Sequence, residues 1–172
     1  SRTAASQIAS SVKSSPGGFP VGDVSSLTDL LRDSAKGTVA KREGACVLIE
    51  LCSRDAKAAG EHQTTGFVVD LLKCCADKHS KETQDAAWRA MEALARTMSP
   101  HGLRAVLPAL IDAMDPAQKW QTMVAALQFL AIFAQCSPIT TSEALNDVIP
   151  VVTQMVNDSK VEVSLAAREC LT

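Results

Sequence analysis

Cysteine and histidine are the residue types in this chain best suited to metal binding or nucleophilic chemistry. The sequence has six cysteines and three histidines, but no C-x-x-C pair, and no histidine at a ligand-like distance from a cysteine. Cys46 and Cys52 fall on the apolar face of a helical pattern, and a free cysteine behaves as a small buried hydrophobe. We therefore expect structural, reduced thiols in a reducing setting, with no metal site and no disulfide.

Carboxylates and glycines offer no catalytic arrangement either. Asp112 and Asp115 lie at helical neighbour spacing, which is typical of a solvated helix face. The glycine pair in residues 16–18 is not followed by Lys-Ser or Lys-Thr, so it is not a phosphate loop. His101 has no serine or cysteine nucleophile near it in sequence. The sequence predicts no enzyme activity, no cofactor and no small-molecule substrate in this segment.

Cations are concentrated in the short segments between helical patterns. They are Lys36, Lys41, Arg42, Lys78, Lys81, Lys119 and Lys160. If these turns stack along one edge of a helical array, the cations form a stripe with a repeat of about 10 Å, suited to phosphate contacts. The same turns carry carboxylates such as Asp77 and Asp158, so a mixed, solvated edge is the alternative interpretation.

The two tryptophans also admit two interpretations. Trp120 follows Lys119, and an indole beside a cation is suited to stacking on a nucleobase. However, Trp120 is also at helical spacing with Met123 and Val124, which favours packing between helices. Trp88, next to Ala87, is expected to pack in the same way.

The elements that must position these residues recur along the chain. Leu103 to Leu130 reads as two apolar helices separated by Asp115-Pro116. Two landmarks of this hairpin return about every 40 residues. The first landmark is an apolar doublet in the first helix, which recurs as Leu30-Leu31, Leu71-Leu72, Leu110-Ile111 and Val151-Val152. The second is a pair of small residues in the second helix, which recurs as Gly44-Ala45, Ala86-Ala87, Ala125-Ala126 and Ala166-Ala167. This pattern predicts an array of helical hairpins.

The array has four predicted repeats with eight main helices. Residues 1–22 are rich in Ser, Gly and Pro, so they are predicted to form a flexible tail, and residues 23–172 form the repeat domain. The repeats span about 23–53, 64–97, 102–135 and 142–172. Ser159 with Glu162 three residues later predicts a capping box for the last helix. The final helix lacks a polar outer face, which predicts that the array continues.

Composition narrows the class of protein. The 172 residues carry a net charge of −2, only 3% are aromatic, and none is tyrosine. This composition favours helices over sheets, and it gives no global basic field of the kind that free nucleic-acid binders have. No run reaches the roughly 20 apolar residues of a membrane span, and no secretory signal is present.

Several motifs resemble known repeat families. Ile149-Pro150, Asp158, Val163 and Ala166-Ala167 resemble the HEAT pattern, although Ser164 stands where that pattern often has arginine. The stretch 99–110, Lys119-Trp120-Gln121 and residues 147–152 resemble the N-terminal HEAT region of translation elongation factor 3. The ribosome-associated general-control regulator has related repeats.

The resemblance implies a fold and a function. The fold is an all-α, right-handed solenoid of about four HEAT repeats. The function is that of a non-catalytic, cytoplasmic arm that binds the ribosome, both its RNA and its proteins, with the ATPase cassettes outside this segment. The turn cations are the candidate contacts to ribosomal RNA. The alternative is a general protein-binding HEAT scaffold, including a ribosome-associated kinase regulator, that holds a peptide or protein on its concave inner helices.

Overall fold

The computed structural model describes residues 21–32, 39–55, 66–77 and 80–172. These residues form eight helices and no strand: α1 Val21–Arg32, α2 Val39–Asp55, α3 Val68–Cys75, α4 Lys81–Thr97, α5 Pro100–Ala113, α6 Trp120–Cys136, α7 Pro138–Met155 and α8 Val161–Cys170. The predicted tail, residues 1–22, lies outside the described residues except for Val21 and Gly22, which belong to α1. None of the described helices combines the length and apolar character that a bilayer crossing requires.

The helices form two layers. The odd-numbered helices contact one another in chain order, α1 to α3, α3 to α5 and α5 to α7, and the even-numbered helices do the same from α2 to α8. Each odd helix also contacts the even helix that follows it. A hairpin that packs on its two neighbours in this way is the unit of a solenoid. The predicted all-α solenoid is confirmed.

The small pairs hold the even layer together. The second members, Ala45, Ala87, Ala126 and Ala167, are all buried, with at most 3% of each residue exposed. A small side chain at this position lets neighbouring helices approach closely, and the close-packed interior leaves no room for a larger one. The burial of these residues places the small pairs at the contacts between the even helices. Each apolar doublet also contributes at least one buried side chain to the core.

Two helix starts differ from the sequence prediction. α7 begins at Pro138 rather than near residue 142, because proline is well suited to the first helical turn. The capping box predicted from Ser159 and Glu162 is wrong. α8 begins at Val161, and the Asp158 carboxylate, not the Ser159 hydroxyl, accepts the backbone N–H of Lys160 at 2.7 Å.

Proline and exposed apolar residues mark the second half of the chain. Pro108 and Pro150 lie inside α5 and α7. Ile139 at the start of α7 and Val161 and Leu165 on α8 are exposed. Apolar surface therefore remains uncovered on the last two helices.

Candidate nucleic-acid interface

Four of the predicted cations lie at the N-terminal ends of the even helices. Lys41 is the third residue of α2, Lys81 is the first residue of α4, and Lys119 and Lys160 are the N-caps of α6 and α8. All four are exposed. We call them the lysine edge. Lys36 and Lys78 lie outside the described residues.

The even helices begin on the same side of the layer. A single cavity is lined by the N-terminal halves of both α4 and α6, from Gln84 to Trp88 and from Trp120 to Gln128. The N-terminal part of α2 is tied to the turn before α4 by the ion pair of Arg42 with Asp77. Because α2, α4, α6 and α8 pack in order, the lysine edge follows one side of the solenoid.

The lysines are not explained by helix stability. The N-terminus of a helix carries a partial positive charge, so a cation there is electrostatically unfavourable. The free backbone N–H groups of the same turn bind anions. Four lysines beside four helix N-termini therefore favour the binding of an anion such as a phosphate. They do not stabilise the helices that carry them.

Most carboxylates of the same turns are engaged in local structure. Asp115 Oδ1 accepts the backbone N–H of Ala117 at 2.7 Å, and Asp158 does the same for Lys160. Glu82 accepts a hydrogen bond from the Ser80 hydroxyl at 2.9 Å. The Glu82 backbone N–H, followed by that hydroxyl, holds the pKa of Glu82 below its ordinary value. None of the four lysines has an ion-pair partner among the described residues.

Arg42 does not belong to this edge, which corrects its place among the predicted contact residues. Only 4% of Arg42 is exposed, and its Nη1 lies 2.7 Å from Asp77 Oδ2. The position of Arg42 within the repeat is consistent with this burial. Arg42 lies three residues before Ala45, as Ser164 lies three residues before Ala167, and this is the position at which the HEAT pattern often has an arginine.

Two further buried carboxylates join the first two repeats, and local sequence patterns did not find them. Glu50 on α2 lies 3.0 Å from Arg54 and 3.2 Å from Arg89 of α4. Asp70 on α3 lies 3.2 Å from Arg32 of α1 and accepts from it. A residue-by-residue reading could not pair these groups, because the partners are 38 and 39 residues apart.

Among the described cysteines, Cys46 and Cys74 are buried, Cys75 and Cys170 are half-buried and Cys136 is exposed. Burial raises the pKa of Cys75 to about 12 and that of Cys170 to about 11. A hydrogen bond between the Cys46 and Cys74 side chains raises the pKa of Cys46 and lowers that of Cys74. Within the described part of the chain, no three His, Cys, Asp or Glu side chains are grouped as metal ligands. The side chain of Cys52 is outside the described groups.

Trp88 and Trp120 are half-buried and pack against the core, which confirms their predicted packing role. Both also line the cavity between α4 and α6. Their indole rings therefore belong to the core on one side and to an open groove on the other.

Comparison with known proteins identifies the family. The chain is 28% identical to the stalled ribosome sensor GCN1 of Mus musculus over 86% of this chain and 5% of that protein. It is 31% identical to elongation factor 3 of Gonapodya prolifera over 76% of this chain and 12% of that protein. The chain thus spans a small part of the length of these relatives.

A designed armadillo repeat protein, solved in complex with the peptide (KR)4, is similar in structure, with a TM-score of 0.48 and 19% identity. It covers 87% of this chain, which in turn covers 63% of it. The family described as EF3 N-terminal HEAT repeat matches residues 1–171. The repeat spacing, the buried small pairs and this match together show that the chain belongs to the EF3 N-terminal HEAT repeat family.

Proposed function

We propose that this chain is a non-catalytic, ribosome-binding HEAT arm, and that its lysine edge contacts phosphates of ribosomal RNA in the cytoplasm. The observation that carries the proposal is the placement of four exposed lysines at the N-termini of four successive even helices. Lys36 and Lys78 remain predicted members of the same edge, and Arg42 is excluded from it by its burial.

Because of its net charge, the chain can attract RNA only through a local group of cations such as the lysine edge. The net charge is −2, so the chain as a whole does not attract RNA. Phosphates require point charges at a suitable spacing, and neighbouring helices in a layer supply them about 10 Å apart. The relatives named as a stalled ribosome sensor and as elongation factor 3 support the ribosome as the source of these phosphates. In an elongation factor of this kind, ATPase cassettes would lie outside this segment.

Charge reversal tests the proposal. Lys81→Glu, Lys119→Glu and Lys160→Glu together should weaken co-sedimentation of the purified chain with ribosomes by more than about tenfold, and should flatten the dependence of binding on salt, since each lost phosphate contact removes its counterion release. The matched control reverses Arg96, Arg104 and Arg168, which are exposed cations away from the edge. The control makes the same change in net charge and should weaken binding far less.

The other outcomes contradict the proposal in different ways. Equal weakening by both sets of reversals would mean that the attraction is diffuse and that the edge has no special role. Unchanged binding in both sets would move the contact to another face. Thermal melting checks the fold. The lysine reversals should change the free energy of unfolding by less than about 0.5 kcal/mol each, and the Arg96 and Arg104 reversals, which each break an exposed ion pair, by about 1 kcal/mol.

A second candidate function, a protein-binding scaffold that includes regulators of a ribosome-associated kinase, is supported by the uncovered apolar surface. Leu165 is 53% exposed and Val161 68% exposed on α8, and exposed apolar patches mark interaction surfaces. Replacing both residues by serine should leave ribosome binding intact if the lysine edge carries it. Loss of ribosome binding in this variant, with the lysine reversals silent, would favour the scaffold.

A further inference from the structure

The cavity between α4 and α6 has a lining suited to one planar ligand. It has a volume of about 190 Å³, and its lining includes Gln84, Asp85 and Trp88 from α4 and Trp120, Gln121 and Gln128 from α6. The sequence has two tryptophans in all, so both indoles of the chain lie at this one cavity. Three side-chain amides and one carboxylate accompany them. The lining thus combines aromatic faces with hydrogen-bonding groups.

The lining of the cavity contains one carboxylate, Asp85, and two lysines lie close to the lining residues in sequence. Lys81 lies one helical turn before Asp85, and Lys119 directly precedes Trp120. Both lysines are exposed members of the lysine edge. Asp85 has no ion pair or hydrogen bond among the described residues, and α6 contains no charged residue between Trp120 and Cys136.

Two further charged side chains near the cavity have partners of their own. Arg89 is paired with Glu50, and Glu82 with the Ser80 hydroxyl. Glu82 keeps its negative charge beside Lys81, so a ligand in the cavity has two lysines near the lining in sequence and one unpaired carboxylate, Asp85, within the lining.

We propose that this cavity binds one unstacked guanine of single-stranded RNA, with the neighbouring phosphates on Lys81 and Lys119. The inference rests on the proposed function, because it names the RNA feature that the lysine edge would bring to this site. Single-stranded RNA is recognised by stacking unpaired bases on aromatic side chains and by hydrogen bonds to their edges. Trp88 and Trp120 supply the stacking surface.

Asp85 selects the base. Guanine presents two adjacent donors on its Watson–Crick edge, N1–H and the N2 amino group, and a carboxylate can accept from both at once. Uracil presents one donor there, and adenine and cytosine each present an amino group beside an unprotonated ring nitrogen that repels the carboxylate. The amides of Gln121 and Gln128 can donate to the guanine O6 and N7 acceptors.

A basic peptide fits the cavity less well. Its cations would approach Lys81 and Lys119 and the N-termini of α4 and α6, all of which repel positive charge. Asp85 and Glu82 would offset this repulsion only in part. A ligand with anionic groups on both sides of a planar ring fits the same arrangement without this repulsion.

The two tryptophans make the test direct. Since the sequence has no tyrosine, its indole fluorescence reports on the cavity alone. The probes are the RNA pentamers UUGUU, UUAUU, UUCUU and UUUUU, titrated into the purified chain. We expect UUGUU to quench the fluorescence and to bind about tenfold more tightly than the others, the discrimination of a good bidentate contact. Trp88→Phe and Trp120→Phe should each remove part of the quenching.

The matched variants separate recognition from folding. Asp85→Asn should remove the preference for guanine, while Asp147→Asn, an exposed aspartate on α7 outside the cavity, should retain it. Both should melt like the parent chain. Equal binding of all four pentamers, or an unchanged guanine preference in Asp85→Asn, would overturn the inference. So would quenching by a Lys-Arg repeat peptide without quenching by RNA, which would assign the cavity to a protein partner.

The two proposals fail in distinguishable ways. If the triple lysine reversal weakens ribosome binding but no pentamer quenches the tryptophans, the guanine site is overturned and the ribosome-binding edge stands. If UUGUU quenches selectively but the reversals leave ribosome binding unchanged, the guanine site stands and the edge is overturned.

Discussion

The contact between the first two repeats and the contact between the last two use different chemistry for the same geometry. In the first, arginines of one repeat reach buried carboxylates of the other, as in the pairs of Arg42 with Asp77 and Arg89 with Glu50. In the last, the pair of Arg104 with Glu143 is exposed at both ends, and α6 carries no charged residue at all. The packing of α6 on α8 therefore depends on apolar and small side chains.

This difference shows that the repeat landmarks specify position more than they specify chemistry. Residues at matching places in the hairpins can be charged in one repeat and apolar in another, because the backbone spacing is set by the small pairs. Buried ion pairs carry a large desolvation cost, and removing one partner leaves an uncompensated charge. Apolar contacts lose stability gradually as area is removed. We call the first two repeats the charged half and the last two repeats the apolar half. The two halves should respond differently to substitution.

The largest expected effect is at Arg42. Arg42→Ala leaves the Asp77 carboxylate buried without its cation, which should lower the free energy of unfolding by about 3–5 kcal/mol. Arg104→Ala removes a pair that is exposed to solvent, so the loss should be at most about 1 kcal/mol. Urea denaturation followed by circular dichroism measures both variants.

A double substitution sharpens this comparison. Arg42→Met with Asp77→Leu replaces the pair by apolar side chains of similar size and should recover most of the stability lost in Arg42→Ala. If the double variant is as unstable as the single one, the charged pair itself is required at this position. The contact between the first two repeats would then not tolerate the apolar chemistry of the contact between the last two.

The sequence carried the repeat geometry but only part of the charge geometry. Ala45 and Ala126 could be placed at helix contacts because a small residue that recurs once in every hairpin is typical of a close approach between helices. The sequence predicts Arg42 on the exposed edge because lysine and arginine in turns are usually solvated, and only its register against Ser164 indicates burial. The partners of Glu50 and Asp70 lie in another repeat, and such pairs depend on tertiary packing that local periodicity does not encode. The lysine edge remains a prediction that binding experiments must test.

The next effect concerns the small pair in the apolar half. Ala126 is fully buried, so Ala126→Leu should overfill the contact among even helices and lower stability by about 1–3 kcal/mol. The same substitution at Ala105, which is exposed on α5, should be close to neutral. A melting temperature that is unchanged in Ala126→Leu would show that the apolar half packs loosely.

A smaller difference is expected at two helix starts. The Ser80 hydroxyl accepts the backbone N–H of Thr83 at 3.0 Å, so Ser80→Ala should cost about 0.5–2 kcal/mol. Ser159 does not cap α8, so Ser159→Ala should change the free energy of unfolding by less than about 0.5 kcal/mol. Equal losses at the two sites, measured by thermal melting, would mean that Ser159 stabilises the start of α8 after all.

The start of α4, where Ser80 is the N-cap, should also have a pH-dependent stability, because the pKa of Glu82 is shifted there. It is lower in the folded chain than its ordinary value, so the contribution of Glu82 to stability is complete above the unfolded pKa and is lost as the pH falls through the folded pKa. Since the Ser80 hydroxyl is one cause of the shift, Ser80→Ala should raise the pKa of Glu82, which NMR titration can measure.

The smallest effect should be a gain. Gly44 holds the position of Ala125 in the repeat, inside α2, and a methyl group added there would meet no atom within 4 Å. Because glycine loses more backbone entropy in a helix than alanine, Gly44→Ala should raise the free energy of unfolding by about 0.5–1 kcal/mol. The reverse change at the matching site, Ala125→Gly, should lower it by at least as much, since Ala125 is buried and its methyl group contributes packing as well. A loss of stability in Gly44→Ala would mean that the helices pack more tightly at this position than the free space around Gly44 indicates. The helix contacts of the first two repeats would then resemble those of the last two, despite the difference in their ion pairs.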